Sequence, residues 1–70
     1  MHRTPVTSTN LSSVGYDHAT GILEIAFHSG GLYQYAGVPA NVYQSLMSAS
    51  SHGQYFHRFI KDIYPYRKLR

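Results

Sequence analysis

The stretch Ile22 to Tyr35, ILEIAFHSGGLYQY, limits what this chain can fold into more than any other. Its first half alternates, with Leu23, Ile25 and Phe27 on one side and Glu24 and His28 on the other, the period of a half-buried strand. After Gly30 and Gly31 come Tyr33 and Tyr35, two residues apart. Both rings therefore leave one side of a second strand, and Gln34 leaves the other. A three-residue loop of Ser29, Gly30 and Gly31, with Gly31 left-handed, sets Tyr33 against Phe27 and Tyr35 against Ile25. A two-residue turn shifts the register by one and throws both tyrosines onto the opposite face. The three-residue loop is preferred because it avoids burying Gln34 against Ile25. The rings then cap the core and hold their hydroxyls near its rim.

Upstream, Leu11 to Tyr16 reads as a short strand in which Gly15 marks a bulge or a close backbone approach, and Asp17 to Gly21 is turn chemistry. Downstream, Pro39 forces Val38 out of the helical region and suits the first turn of a helix. Val42, Tyr43, Leu46 and Met47 make one face of that helix, which ends near Ala49. Ser51 followed by Gln54 has capping-box spacing, so a second helix begins at about His52. Tyr55, Phe56, Phe59, Ile60 and Ile63 form its buried stripe, while Gln54, His57, Arg58 and Lys61 face outward. Tyr64-Pro65-Tyr66 ends it, and Arg67-Lys68-Leu69-Arg70 is a basic tail. Residues 1 to 10 carry no apolar period and read as a flexible lead-in to a single domain over 11–70. The expected class is α+β: a three-stranded antiparallel meander followed by two helices packed on one sheet face. The expected core is Leu23, Ile25, Phe27, Tyr33, Tyr35, Leu46, Phe56 and Ile60.

The chain has 70 residues and no cysteine. A domain of this size buries only about 60% of the surface its unfolded chain exposes, and disulfides are not there to help. Seven tyrosines and three phenylalanines suit that need, and a homo-oligomer would bury more of them. No run is apolar enough for a membrane span, and the first ten residues lack the apolar centre of a signal peptide, so a cytoplasmic protein is expected.

In order and spacing, Val14-Gly15-Tyr16-Asp17, Phe27 with Gly30-Gly31, Tyr33-Gln34-Tyr35, Val38-Pro39, Ser51-His52-Gly53-Gln54-Tyr55-Phe56 and Tyr64-Pro65-Tyr66-Arg67 together resemble the KTSC domain. That family is named for the C-terminal segment of certain lysyl-tRNA synthetases, and its members are often small stand-alone bacterial or phage proteins. The resemblance runs from about Ser12 to Leu69. It implies a domain without an established activity, for which RNA binding has been suggested, and it brings no catalytic residues.

The net charge of +3 is unevenly placed. Residues 1 to 51 carry Arg3 against Asp17 and Glu24, whereas 52 to 70 carry Arg58, Lys61, Arg67, Lys68 and Arg70 against Asp62. Such asymmetry points either to an anionic partner or to a solvated helix face. Catalysis is not expected, because the chain offers no cysteine, no carboxylate pair and no serine beside a histidine and an orienting acid. Five histidines raise the question of a metal, but His52 and His57 are about 140° apart on a helix, and His28 has no evident second ligand. No metal or cofactor is expected.

The start of the second helix is the candidate ligand end. Ser51, His52 and Gly53 offer hydroxyl and N–H donors there, although plain capping by Ser51 accounts for part of the pattern. Gly53 costs helix stability, and a close ligand approach would explain it. His57, Arg58 and Lys61 on the outer face, with Arg67 and Lys68 after Pro65, supply cations. Tyr64 and Tyr66 are placed to stack bases, and the motif aromatics Phe27, Tyr33, Tyr35 and Phe56 read chiefly as core. The expected function is a non-enzymatic binding module for a phosphate-bearing ligand, RNA or single-stranded nucleic acid. The alternatives are a homo-oligomer enclosing a small nucleotide-like molecule between copies, and a protein–protein adaptor anchored by Tyr64 to Leu69.

Overall fold

A computed structural model describes residues 1–70. The elements follow as β1 (Arg3–Pro5), β2 (Leu11–Asp17), β3 (Ile22–Phe27), β4 (Leu32–Tyr35), α1 (Ala40–Ser48), α2 (His52–Phe59) and β5 (Tyr66–Lys68). The strands form one antiparallel sheet in the order β1-β2-β3-β4-β5. The class is α+β, but with five strands where three were expected. Both additions come from segments read as a lead-in and a tail. They lie at the two sheet edges, where short exposed strands are held by main-chain pairing and need no alternating apolar pattern. Pro5 fits such an edge because the hydrogen bond it cannot donate is not required there.

The β3–β4 hairpin keeps the expected faces with a different loop. The Phe27 N–H donates to the Gly31 carbonyl and the Gly30 N–H to the Phe27 carbonyl, each at 2.9 Å, so the loop is His28-Ser29-Gly30. Gly30, not Gly31, takes the positive φ, at 104°. Tyr33 pairs with Ile25, and Tyr35 with Leu23. The expected pairing is thus displaced by two residues, an even shift that leaves every side chain on its own face. In β2 the bulge lies between Leu11 and Ser13. Gly15 is instead a close approach, since a Cβ there would stand 2.7 Å from the His2 carbonyl oxygen.

Leu11, Val14, Leu23, Ile25 and Tyr35 of the sheet meet Val38, Leu46, Phe56 and Ile60 in one core, with Phe27, Tyr33, Val42, Tyr43, Met47 and Tyr55 packed partly against it. The α1 stripe is as expected, though Pro39 is the N-cap residue and the helix begins at Ala40. Ser51 caps α2, its Oγ accepting from the Gln54 N–H at 3.2 Å. The helix stops at Phe59, earlier than expected. Both the Ile60 and Lys61 N–H groups turn back to the Phe56 carbonyl, and Asp62 takes φ 64°. Ile63, beyond the break, leaves the expected stripe and is 57% exposed, and Phe59, the last residue of the helix, is 47% exposed. None of the helices is long and apolar enough to cross a membrane.

The sheet face away from the core carries a polar row in register: Arg3, Gly15, Glu24, Gln34 and Arg67 on consecutive strands. Because Gly15 has no side chain, Arg3 reaches across it to Glu24, Nη1 to Oε2 at 2.6 Å. Gln34 donates to the other Glu24 oxygen at 2.8 Å, and Arg3 Nε donates to Ser13 Oγ at 3.1 Å.

Candidate nucleic-acid interface

A groove opens where the β3–β4 loop, the α2–β5 turn and the segment before β2 converge. Its volume is about 540 Å³, with Phe27, Tyr33, Tyr35, Phe56 and Tyr66 as its aromatic lining. The pleat explains the gathering: Tyr35 pairs with Tyr66 and Tyr33 with Lys68, so β5 sends Tyr66 and Lys68 to the face that already bears the β4 tyrosines. The Tyr66 ring lies 5.6 Å from Tyr33 and 5.9 Å from Tyr35, and Phe56 lies 5.4 Å from Phe27 and 5.5 Å from Tyr35. Tyr35 and Phe56 are buried and Tyr33 is half-buried, whereas Tyr66 is 61% exposed. Lys68 Nζ sits 5.9 Å from the centre of the Tyr33 ring.

The polar wall consists of Thr9, Asn10, His28, Ser29, His57, Lys61 and Asp62. His28 is fixed by its ring Nε2, which donates to the Ser8 carbonyl at 2.9 Å. Ser8 Oγ accepts from the N–H groups of Asn10 and Leu11, each at 3.2 Å, and this turn sets Asn10 against α2. Burial, then the neighbouring Tyr33, Tyr66 and Asp62, push the Tyr35 hydroxyl up to about 12. A second cleft of about 450 Å³ adjoins the groove across shared Thr9, Asn10, Gly53 and His57, and is completed by Ser51, Gln54 and Arg58. Its lining includes no acidic residue.

Of the candidate residues, Gly53, His57, Lys61 and Tyr66 line the groove with all four motif aromatics, while Ser51 and Arg58 stand in the adjoining cleft. Others lie elsewhere. His52 joins the helices, its Nδ1 donating to the Leu46 carbonyl at 2.8 Å. Tyr64 packs against the core. Arg67 extends the polar row on the opposite sheet face, while Lys68 remains on the groove side. Gly53 is close-packed: a Cβ there would stand 3.3 Å from the Asn10 side-chain Nδ2, a contact eased by a small shift of that side chain. Thr9, Asn10, His28, Ser29 and Asp62 were not foreseen. The Ser8-x-Asn10 turn spacing was one signal, and an Asp shortly before Pro65 was another. No three His, Asp or Glu side chains gather closely enough to hold a metal ion.

The chain is similar to known proteins over most of its length. An uncharacterized protein of Stutzerimonas stutzeri is 44% identical over 61 residues, 87% of this chain and 86% of that protein. A lysine–tRNA ligase of a Nostoc species is 44% identical over 54 residues, which make up 77% of this chain and 10% of the ligase. The crystal structure of a KTSC domain protein from Yersinia pestis superposes with a TM-score of 0.96 at 43% identity, covering 99% of this chain and 97% of the other. The KTSC domain model itself matches residues 7–64, taking in β2 to α2 and most of the groove. The chain therefore belongs to the KTSC domain family.

Proposed function

We propose that this domain binds single-stranded nucleic acid, RNA in particular, in the aromatic groove and along the basic side of α2. The observation that carries the reading is the exposed Tyr66 ring beside Tyr33, with Lys61 and His57 in the same groove and Lys68 against the Tyr33 ring. Base–aromatic stacking is worth about 1–3 kcal/mol per base and accepts any base, because each has a π face. Cations around such a shelf supply the phosphate attraction that single-strand binders require. The match to part of a lysine–tRNA ligase, an RNA-handling enzyme by its name, is consistent with this reading.

Titration of a fluorescent single-stranded RNA at several salt concentrations tests it. Affinity is expected to fall by about 0.7 log unit per log unit of salt for each phosphate neutralised. Tyr66→Ala should weaken binding roughly tenfold while leaving the salt slope unchanged. Salt-independent binding, or a Tyr66→Ala protein that binds normally, rejects the reading. A second reading, in which two copies close over one small nucleotide, draws on the same exposed Tyr66. It requires the sedimentation mass to double when a mononucleotide is added.

A further inference from the structure

The groove and the cleft beside it are chemically unlike. The groove is floored by aromatic rings and has Asp62 in its wall, whereas the cleft has Arg58 and His57 with five uncharged residues. A phosphate in the groove would meet the Asp62 carboxylate beside the Lys61 ammonium, whereas one in the cleft would meet Arg58 and no carboxylate. Asp62 is also held in place, in the left-handed conformation at φ 64°, by the turn that ends α2. The residue lines the same groove as Tyr35 and Tyr66.

We propose that Asp62 reads the base: the carboxylate accepts a hydrogen bond from the exocyclic amino group of a base held in the groove, and that nucleotide's phosphate lies in the cleft beside Arg58. The inference rests on the nucleic-acid reading above and deepens it by naming the ligand's preferred base chemistry. A carboxylate accepts from the cytosine amino group and repels the carbonyl oxygen that uracil carries in the same place. Ser51 Oγ already takes the Gln54 N–H, and Arg58 is the charged side chain of the cleft that meets the phosphate. His57 borders both cavities and stands where the sugar joins base to phosphate.

Calorimetric titration with cytidine 5′-monophosphate, uridine 5′-monophosphate and unphosphorylated cytidine tests the assignment, alongside cytidine-only and uridine-only short RNAs. The cytidine nucleotide should bind roughly tenfold tighter than the uridine nucleotide, the worth of one hydrogen bond to a charged group. Asp62→Asn, which tolerates the left-handed backbone, should bring the two within about twofold of each other. Asp62→Gly adopts the same backbone without a side chain and should do likewise. Arg58→Ala should weaken the cytidine nucleotide and leave cytidine unchanged. Equal affinities for the two nucleotides in the wild-type protein, or a preference that survives both Asp62 variants, overturns the assignment. If uridine-only RNA then still binds with Tyr66 and salt dependence, the nucleic-acid reading stands and only the role of Asp62 falls. Failure of every RNA and nucleotide to bind overturns both.

Discussion

Glu24 is 5% exposed on a sheet face that no helix covers, and its neighbours are what make that tolerable. Burial raises its carboxyl pKa, but hydrogen bonds from Gln34 and Arg3, together with the Arg3 charge, outweigh burial and hold it below its ordinary 4.5. A carboxyl depressed in the folded state contributes stability above its unfolded pKa, and that contribution is lost as pH falls through the folded value. Glu24→Gln should therefore cost about 1–3 kcal/mol at neutral pH, by replacing the charged acceptor of Arg3 with a neutral amide, and should flatten the acidic limb of the stability profile. Urea melts of both proteins at neutral and acidic pH check this. An unchanged acidic limb would place the acid sensitivity elsewhere. The polar row has a practical corollary: Arg3 is a structural partner of Glu24, so Arg67 is the better place for a charge-reversal control.

Elements with a period of their own were legible before the structure. The alternation of Leu23, Ile25 and Phe27 and the face of Val42, Tyr43, Leu46 and Met47 both lie where the residues said, because each comes from side chains meeting the core. The edge strands left no such trace. Arg3–Pro5 and Tyr66–Lys68 are held by backbone pairing, which any non-proline residue can make. The end of α2 was hidden for a related reason, since Ile63 has the right spacing for a stripe that the turn at Asp62 cuts off. Alanine at Phe56 should cost about 3–5 kcal/mol, comparable with the whole stability of a small domain. Alanine at Phe59 should cost no more than about 1 kcal/mol, because that ring is nearly half exposed and touches only Tyr55 and Arg58 side chains among the aromatic and cation contacts. Thermal melts of the two variants separate them. Equal losses would mean that α2 continues through Ile63.

At the scale of the molecule, the candidate site was legible where it is built from one element and obscure where it is built from several. The spacing of α2 gave His57, Arg58 and Lys61, and the hairpin gave its aromatics. Asn10, His28 and Asp62 join them only because three loops converge, and no local pattern announces that. The resulting charge distribution is directional: Arg58 and Lys61 stand on the groove side and Arg67 on the far sheet face. Reversing Arg58 and Lys61 to glutamate should abolish RNA binding with the fold intact, whereas Arg67→Glu should leave most of the affinity. Equal losses would show that net charge alone governs binding. β5 adds a consequence for motion. It is a strand of three residues at a sheet edge, and such strands open locally far more readily than the core does. It also carries Tyr66, so an occupant stacked on that ring binds the closed strand alone and suppresses its fraying. The amides of Leu32, Ala36 and Leu69 donate to the Arg70, Pro65 and Leu32 carbonyls across this edge. Their exchange with deuterated solvent should slow when RNA binds. None of the three lines the groove, so they report occupancy from outside it.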